Sequence, residues 1–90
     1  MSVTIVLDGK RIARAADVYR ALAREIRFPR HFGENPDALW DVLSERGPAD
    51  LSVTWRDAAC SARFLGAAFP PLVAVLQAAN AAGLLSFELA

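Results

Sequence analysis

The sequence predicts an α/β fold, a three-stranded parallel sheet with about four helices packed on it. Two observations carry this expectation. Three short runs, Val3 to Asp8, Leu51 to Arg56 and Leu84 to Leu89, are dominated by β-branched and large apolar residues, which suit a pleated, half-buried surface. Between them the apolar residues recur every three or four positions, and strands joined by helical crossovers pair in parallel. A chain of 90 residues supports one modest core, so a single domain over residues 1–90 is expected.

Each element has its own signals. "VTIVLD" ends in Asp8-Gly9, a turn pair. From Ala15 to Arg27, Val18, Leu22 and Ile26 repeat every four with Tyr19 beside them, which predicts an amphipathic helix stopped by the approach to Pro29. Asn35 is placed to cap the next helix, Pro36 suits its first position because the missing N–H would be unpaired there, and Asp37 suits the positive end of the dipole. That helix runs to about Arg46, where Gly47-Pro48 stops it. After "LSVTWR", Asp57 is placed to cap a short helix toward Phe64. Pro71 to Ala82 predicts a longer helix with Leu72, Val75, Leu76 and Ala79 inward, ended by Gly83 before the last strand.

Several function classes are disfavoured. The lone cysteine, Cys60, allows no internal disulfide and fits a reducing compartment, hence a cytoplasmic location, where it is expected to be a small buried apolar residue. The N-terminus has no basic lead and only a short apolar run. Gly66 to Phe87 carries no charge, but Pro70-Pro71, Gln77, Asn80, Gly83 and many alanines weaken it as a membrane span. A buried helix running into a buried strand accounts for the same letters. No metal-ligand spacing is visible, and no cofactor is expected. His31 and Cys60 are the only residues of their types and lie far apart in sequence, so no thiol–histidine motif exists and the chain is not expected to be an enzyme.

The charges sum to zero but are unevenly spread. Seven of the ten basic residues, Lys10, Arg11, Arg14, Arg20, Arg24, Arg27 and Arg30, precede a stretch from His31 to Glu45 that holds Glu34, Asp37, Asp41 and Glu45 and no lysine or arginine. The molecule is therefore expected to be dipolar. On a helical wheel Leu39, Val42 and Leu43 share one side, while Asp37, Asp41 and Ser44 cluster almost opposite with Trp40 flanking them. Capping explains Asn35, Pro36 and Asp37; it leaves Trp40 and Asp41 without a structural reason. An aromatic anchor beside fixed charges is the composition of a recognition face, and because both aspartates point outward they are not crowded as an acid/base pair needs to be.

The stretch "HFGENPDALWDVL" resembles the signature of the barstar family, the intracellular inhibitors of small secreted microbial ribonucleases, in which an aromatic pair, Gly-Glu-Asn and Asp-Ala-Leu-Trp-Asp recur in this order. The similarity covers nearly the whole chain, from the first strand and turn, through a proline before the motif and Trp55-Arg56 closing the middle strand, to a glycine before the last strand. It implies a barstar-like sheet with helices packed on it and stoichiometric occlusion of a guanyl-specific, barnase-like ribonuclease. In this reading Asp41 mimics the RNA phosphate, Asp37 supports its charge, and Trp40 and His31 supply contact area. Asn35 preorganises the helix, Gly33 permits close backbone approach and Ser44 gives a hydrogen bond. No small-molecule substrate or membrane is implied, and the free protein is expected to be monomeric. Four features depart from the family pattern: histidine at the first aromatic position (His31), Glu45 and Arg46 where the best-known member has glycine and tryptophan, Ala78 where members often carry an acid, and a neutral overall charge. They bear on which partner is bound. The rival readings are a barstar-like module retargeted to another basic protein, and nucleic-acid binding through Lys10 to Arg30, the latter opposed by zero net charge and sparse aromatic residues.

Overall fold

A computed structural model describes residues 2–90. Strands β1 (Val3–Asp8), β2 (Leu51–Arg56) and β3 (Ser86–Leu89) form one sheet in that order, with both pairings parallel. Four helices accompany it: α1 (Ala15–Leu22), α2 (Pro36–Arg46), α3 (Ala58–Leu65) and α4 (Phe69–Ala81), with a 3-10 turn, Gly66–Ala68, joining the last two.

Register decides which face is covered. Ile5 aligns with Val53 and Phe87, and Leu7 with Trp55 and Leu89, so these rows share one side of the pleat. Ile5, Leu7, Leu51, Val53 and Trp55 are buried beneath the helices, in one core cluster with Val18 and Leu22 of α1, Leu39 and Leu43 of α2, and Leu72 and Leu76 of α4. The opposite rows, Thr4-Ser52-Ser86 and Val6-Thr54-Glu88, are exposed or half-exposed. The sheet is thus covered on one face.

Four local expectations change. The first helix ends at Leu22 rather than Arg27: Arg24 and Glu25 donate to Ala21 and Leu22, and this tightening of the last turn still delivers Ile26, 1% exposed, to the core. Asp57 makes no side-chain cap; it sits in the left-handed region at φ 51°, and its carbonyl accepts the Cys60 N–H. The final helix begins at Phe69, so Pro70 and Pro71 lie in its first turn, where no N–H is required. Cys60 is half-exposed rather than buried, because α3 turns Ala58 and Ser61 inward and leaves Cys60 on the other side with Phe64, which is 65% exposed. The helical stretch Ala58–Ala81 is long and apolar enough to cross a membrane by length and composition. It is interrupted at Gly66 (φ 55°), and Leu72, Val75, Leu76 and Ala79 of α4 are buried in the core.

One buried polar chain ties the ends of β1 and β2 to α3. The Trp55 Nε1–H donates to Ser61 Oγ at 2.9 Å, and the Ser61 hydroxyl donates to the Gly9 carbonyl at 3.1 Å. The Gly9 N–H in turn donates to the Arg56 carbonyl at 2.7 Å, and a Cβ at residue 9 would run into the backbone carbonyl of Asp57. Ser61→Ala leaves the buried Trp55 N–H without a partner and is expected to cost about 1–3 kcal/mol. Urea unfolding followed by tryptophan fluorescence measures this; an unchanged midpoint would remove the chain's structural role.

Candidate functional site

The site is built on α2 and on the loop that enters it. Asn35 is extended, with φ −148° and ψ 161°, and its side-chain oxygen accepts the Ala38 N–H at 2.8 Å. With Pro36 following, the helix start is fixed on both the side-chain and backbone levels. Gly47, at φ 76°, closes the other end through its N–H to the Leu43 carbonyl. Leu39 and Leu43 are buried, Val42 is half-buried, and α2 packs against α4 along this seam. The remaining circumference faces solvent.

That outward side carries Asp37, Asp41 and Glu45, all exposed and four residues apart, so their carboxylates form a line along the helix. Trp40, 36% exposed, flanks the line, and Ser44 is exposed beside it. Among the described residues the ion pairs are Arg11–Asp8 at 3.6 Å and Arg20–Asp17 at 3.7 Å, and neither involves this line.

The entering loop is anchored by aromatic rings. Phe28 stacks on Phe32 with centroids 4.3 Å apart, and Phe32 meets Tyr19 of α1 edge-on at 5.5 Å. Burial pushes the Tyr19 hydroxyl up to about 12, with the Glu34 charge adding in the same direction. Held this way, the loop and α2 enclose a depression of about 180 Å³ lined by His31, Phe32, Gly33, Asp41 and Glu45, among others. A Cβ on Gly33 would come within 3.2 Å of the Asn35 amide nitrogen. Gly33 therefore makes room for the capping side chain.

Of the residues expected from sequence, His31, Gly33 and Asp41 converge on this depression. Asn35 holds the helix end beside it. Asp37, Trp40 and Ser44 lie on the same exposed side of α2 but do not line it. Two contributors were not singled out: Phe32, whose spacing of four from Phe28 signals the stack, and Glu45, which continues the four-residue spacing of Asp37 and Asp41. Ala78, at the position where members of the resembled family often carry an acid, is exposed on α4.

The basic pole is arranged differently. Arg11, Arg20 and Arg24 border a separate depression of about 320 Å³, but Asp8 and Asp17 border it too, and each pairs with one of the arginines. Asp17 also accepts the N–H groups of Ala13 and Arg14, which hold its carboxyl below the ordinary value of 3.8. These arginines are therefore partly neutralised at home.

Residues 2–86 match the family model described as Barstar (barnase inhibitor). The chain belongs to the barstar family. A relative from Bacillus subtilis (strain 168), named "Putative ribonuclease inhibitor YrdF", is 29% identical over 76 residues, which cover 84% of each chain. Barstar-family proteins are inhibitors rather than enzymes.

Two measurements test the anchoring. Asn35→Ala is expected to lower stability by about 1 kcal/mol, the usual loss for an N-cap, seen as a lower midpoint in urea. Tyr19 is the only tyrosine, so its ultraviolet titration is unambiguous: it is expected near pH 12 in the folded protein against 10.0 unfolded. Because the folded value is the raised one, this group's stabilisation is complete below pH 10 and is lost as pH rises toward 12. A folded-state titration at pH 10 would show that the ring is not buried as described.

Proposed function

We propose that this barstar-family protein inhibits a small secreted, guanyl-specific, barnase-like ribonuclease by occluding its active site. Asp41 takes the place of the RNA phosphate, and Asp37 reinforces its charge. The carrying observation is the unpaired line Asp37-Asp41-Glu45 on the exposed side of a capped helix. Like charges four apart cost an isolated helix about 0.2–0.5 kcal/mol per pair. The free protein offers no compensation within ion-pair distance among the described residues. A partner that presents cations compensates it.

A ribonuclease is such a partner, because its active site must preorganise cations around a phosphate that gains charge in the transition state. A carboxylate held on a rigid helix forms charge-assisted hydrogen bonds with those cations, and little side-chain ordering opposes it. Trp40 and His31 add contact area on either side, Ser44 a hydrogen bond, and Asn35 and Gly33 keep the loop and helix end in place. Inhibition is by occupancy, with one inhibitor per enzyme, and the protein acts in the cytoplasm as a monomer until it meets its target.

Titration into an assay of a small secreted guanyl-preferring ribonuclease tests this. Activity is expected to fall to zero near equimolar inhibitor. Asp41→Ala is expected to weaken binding by about 2–5 kcal/mol, the range for truncating one partner of a buried charge pair at interfaces that include the barstar family's own. Its melting temperature is expected to hold or rise slightly, because Asp41 is exposed and its removal relieves two like-charge pairs along α2. Equal inhibition by the variant would mean that the assigned face is wrong.

A further inference from the structure

The depression beside Asp41 adjoins a second, larger one of opposite character. A groove of about 690 Å³ runs past the C-terminal end of α2, lined by Arg27, Arg30 and Arg46 together with half-buried Phe28 and Val42. Pro29, Val42 and Glu45 border both cavities, so the two form one surface. Glu25 and Glu45 also border the groove, leaving three positive charges against two negative. Yet the ion pairs among the described residues are Arg11–Asp8 and Arg20–Asp17, so the guanidiniums of Arg27, Arg30 and Arg46 have no carboxylate within 4.0 Å. All three arginines are exposed.

We propose that this groove is the second half of the partner-binding surface, and that it receives carboxylate side chains standing beside the phosphate-binding cations of the ribonuclease. The inference rests on the function proposed above. A partner with cations alone around its active site would meet Asp41 favourably and Arg46 unfavourably within the same footprint. The unpaired guanidiniums therefore select partners whose rim is acidic, by repelling the others. RNA is the poorer occupant: its phosphates would lie beside the unpaired Asp41 and Glu45, and Phe28, half-buried and stacked on Phe32, offers no free ring for a base.

The test uses a panel of small secreted guanyl-preferring ribonucleases, some with and some without carboxylates flanking the active site. Against each, wild type is compared with Arg30→Glu, Arg46→Glu, Arg46→Gln and Asp41→Ala. For an acid-rimmed enzyme each reversal is expected to weaken inhibition about three- to tenfold, with a smaller loss for Arg46→Gln, as for partly exposed ion pairs converted to like-charge contacts. Changing the facing carboxylate to lysine is expected to restore inhibition by Arg46→Glu. Circular dichroism melting checks that the variants are folded. The proposal is overturned if Asp41→Ala abolishes inhibition while the reversals leave it unchanged, or if a fluorescent RNA oligonucleotide binds wild type and is lost on reversal. If wild type inhibits no member of the panel, the ribonuclease reading fails and this inference fails with it.

Discussion

The contact on which the rest of the structure depends is the buried chain from Trp55 through Ser61 to Gly9. Trp55 is fully buried on the central strand, aligned with Leu7 on one side and Leu89 on the other. Its ring meets Phe69 edge-on at 5.2 Å, and its N–H reaches Ser61 in the middle of α3. One residue of the central strand therefore ties the sheet to both α3 and α4. The absence of a side chain at Gly9 lets the first turn press against the backbone of residues 56–57, where Asp57 adopts a left-handed conformation. The turn follows directly on the last aligned pair, Asp8 and Arg56, and the register extends over the whole of β1 and β2.

That register determines where α2 can lie. With one sheet face covered by helices, α4 forms the floor on which α2 rests, and Leu39 and Leu43 are the two fully buried positions of an eleven-residue helix. A helix held by so narrow a seam keeps most of its circumference in water. The costs of an incomplete seam are offset at its ends, by Asn35 and Gly47, and by the Phe28-Phe32-Tyr19 rings that fix the preceding loop. A presenting helix needs this combination: rigidity comes from caps and flanking rings, so the outward residues are free for charge.

Most of this was legible in the letters because it is local. Asn35-Pro36 marks a helix start by its own hydrogen-bonding chemistry, and the burial of Leu39, Leu72, Leu76 and Ala79 follows from spacing alone. What escaped was set by contacts distant in sequence. Val18, Leu22 and Ile26 keep a four-residue period whether the chain stays helical or tightens, so the end at Leu22 could not be read from them. Asp57 looks like a cap, but its backbone is left-handed and packs against Gly9, 48 positions earlier, a contact that no local signal announces. Cys60 looks like core, yet which side of α3 faces inward is decided by Trp55 reaching Ser61. In the candidate site, Asp41 and His31 carried a family signature, whereas Glu45 and Arg46 read from sequence only as departures from it, and their place beside two adjoining cavities required the loop at Pro29 to meet Val42 of α2.

The neutral net charge fits this two-part surface. A strongly acidic inhibitor attracts a basic enzyme from a distance, and that attraction is indifferent to detail. At physiological ionic strength the screening length is about 8 Å, so a chain with ten charges of each sign exerts its electrostatics mainly on contact. Discrimination then depends on pattern: carboxylates along α2, guanidiniums past its C-terminal end, and half-buried Val42 between them. Such a surface forgoes part of the association rate that steering gives. In return, an enzyme that matches one half and opposes the other gains little from docking, so the proposed specificity resides in the juxtaposition of the two halves and not in either alone.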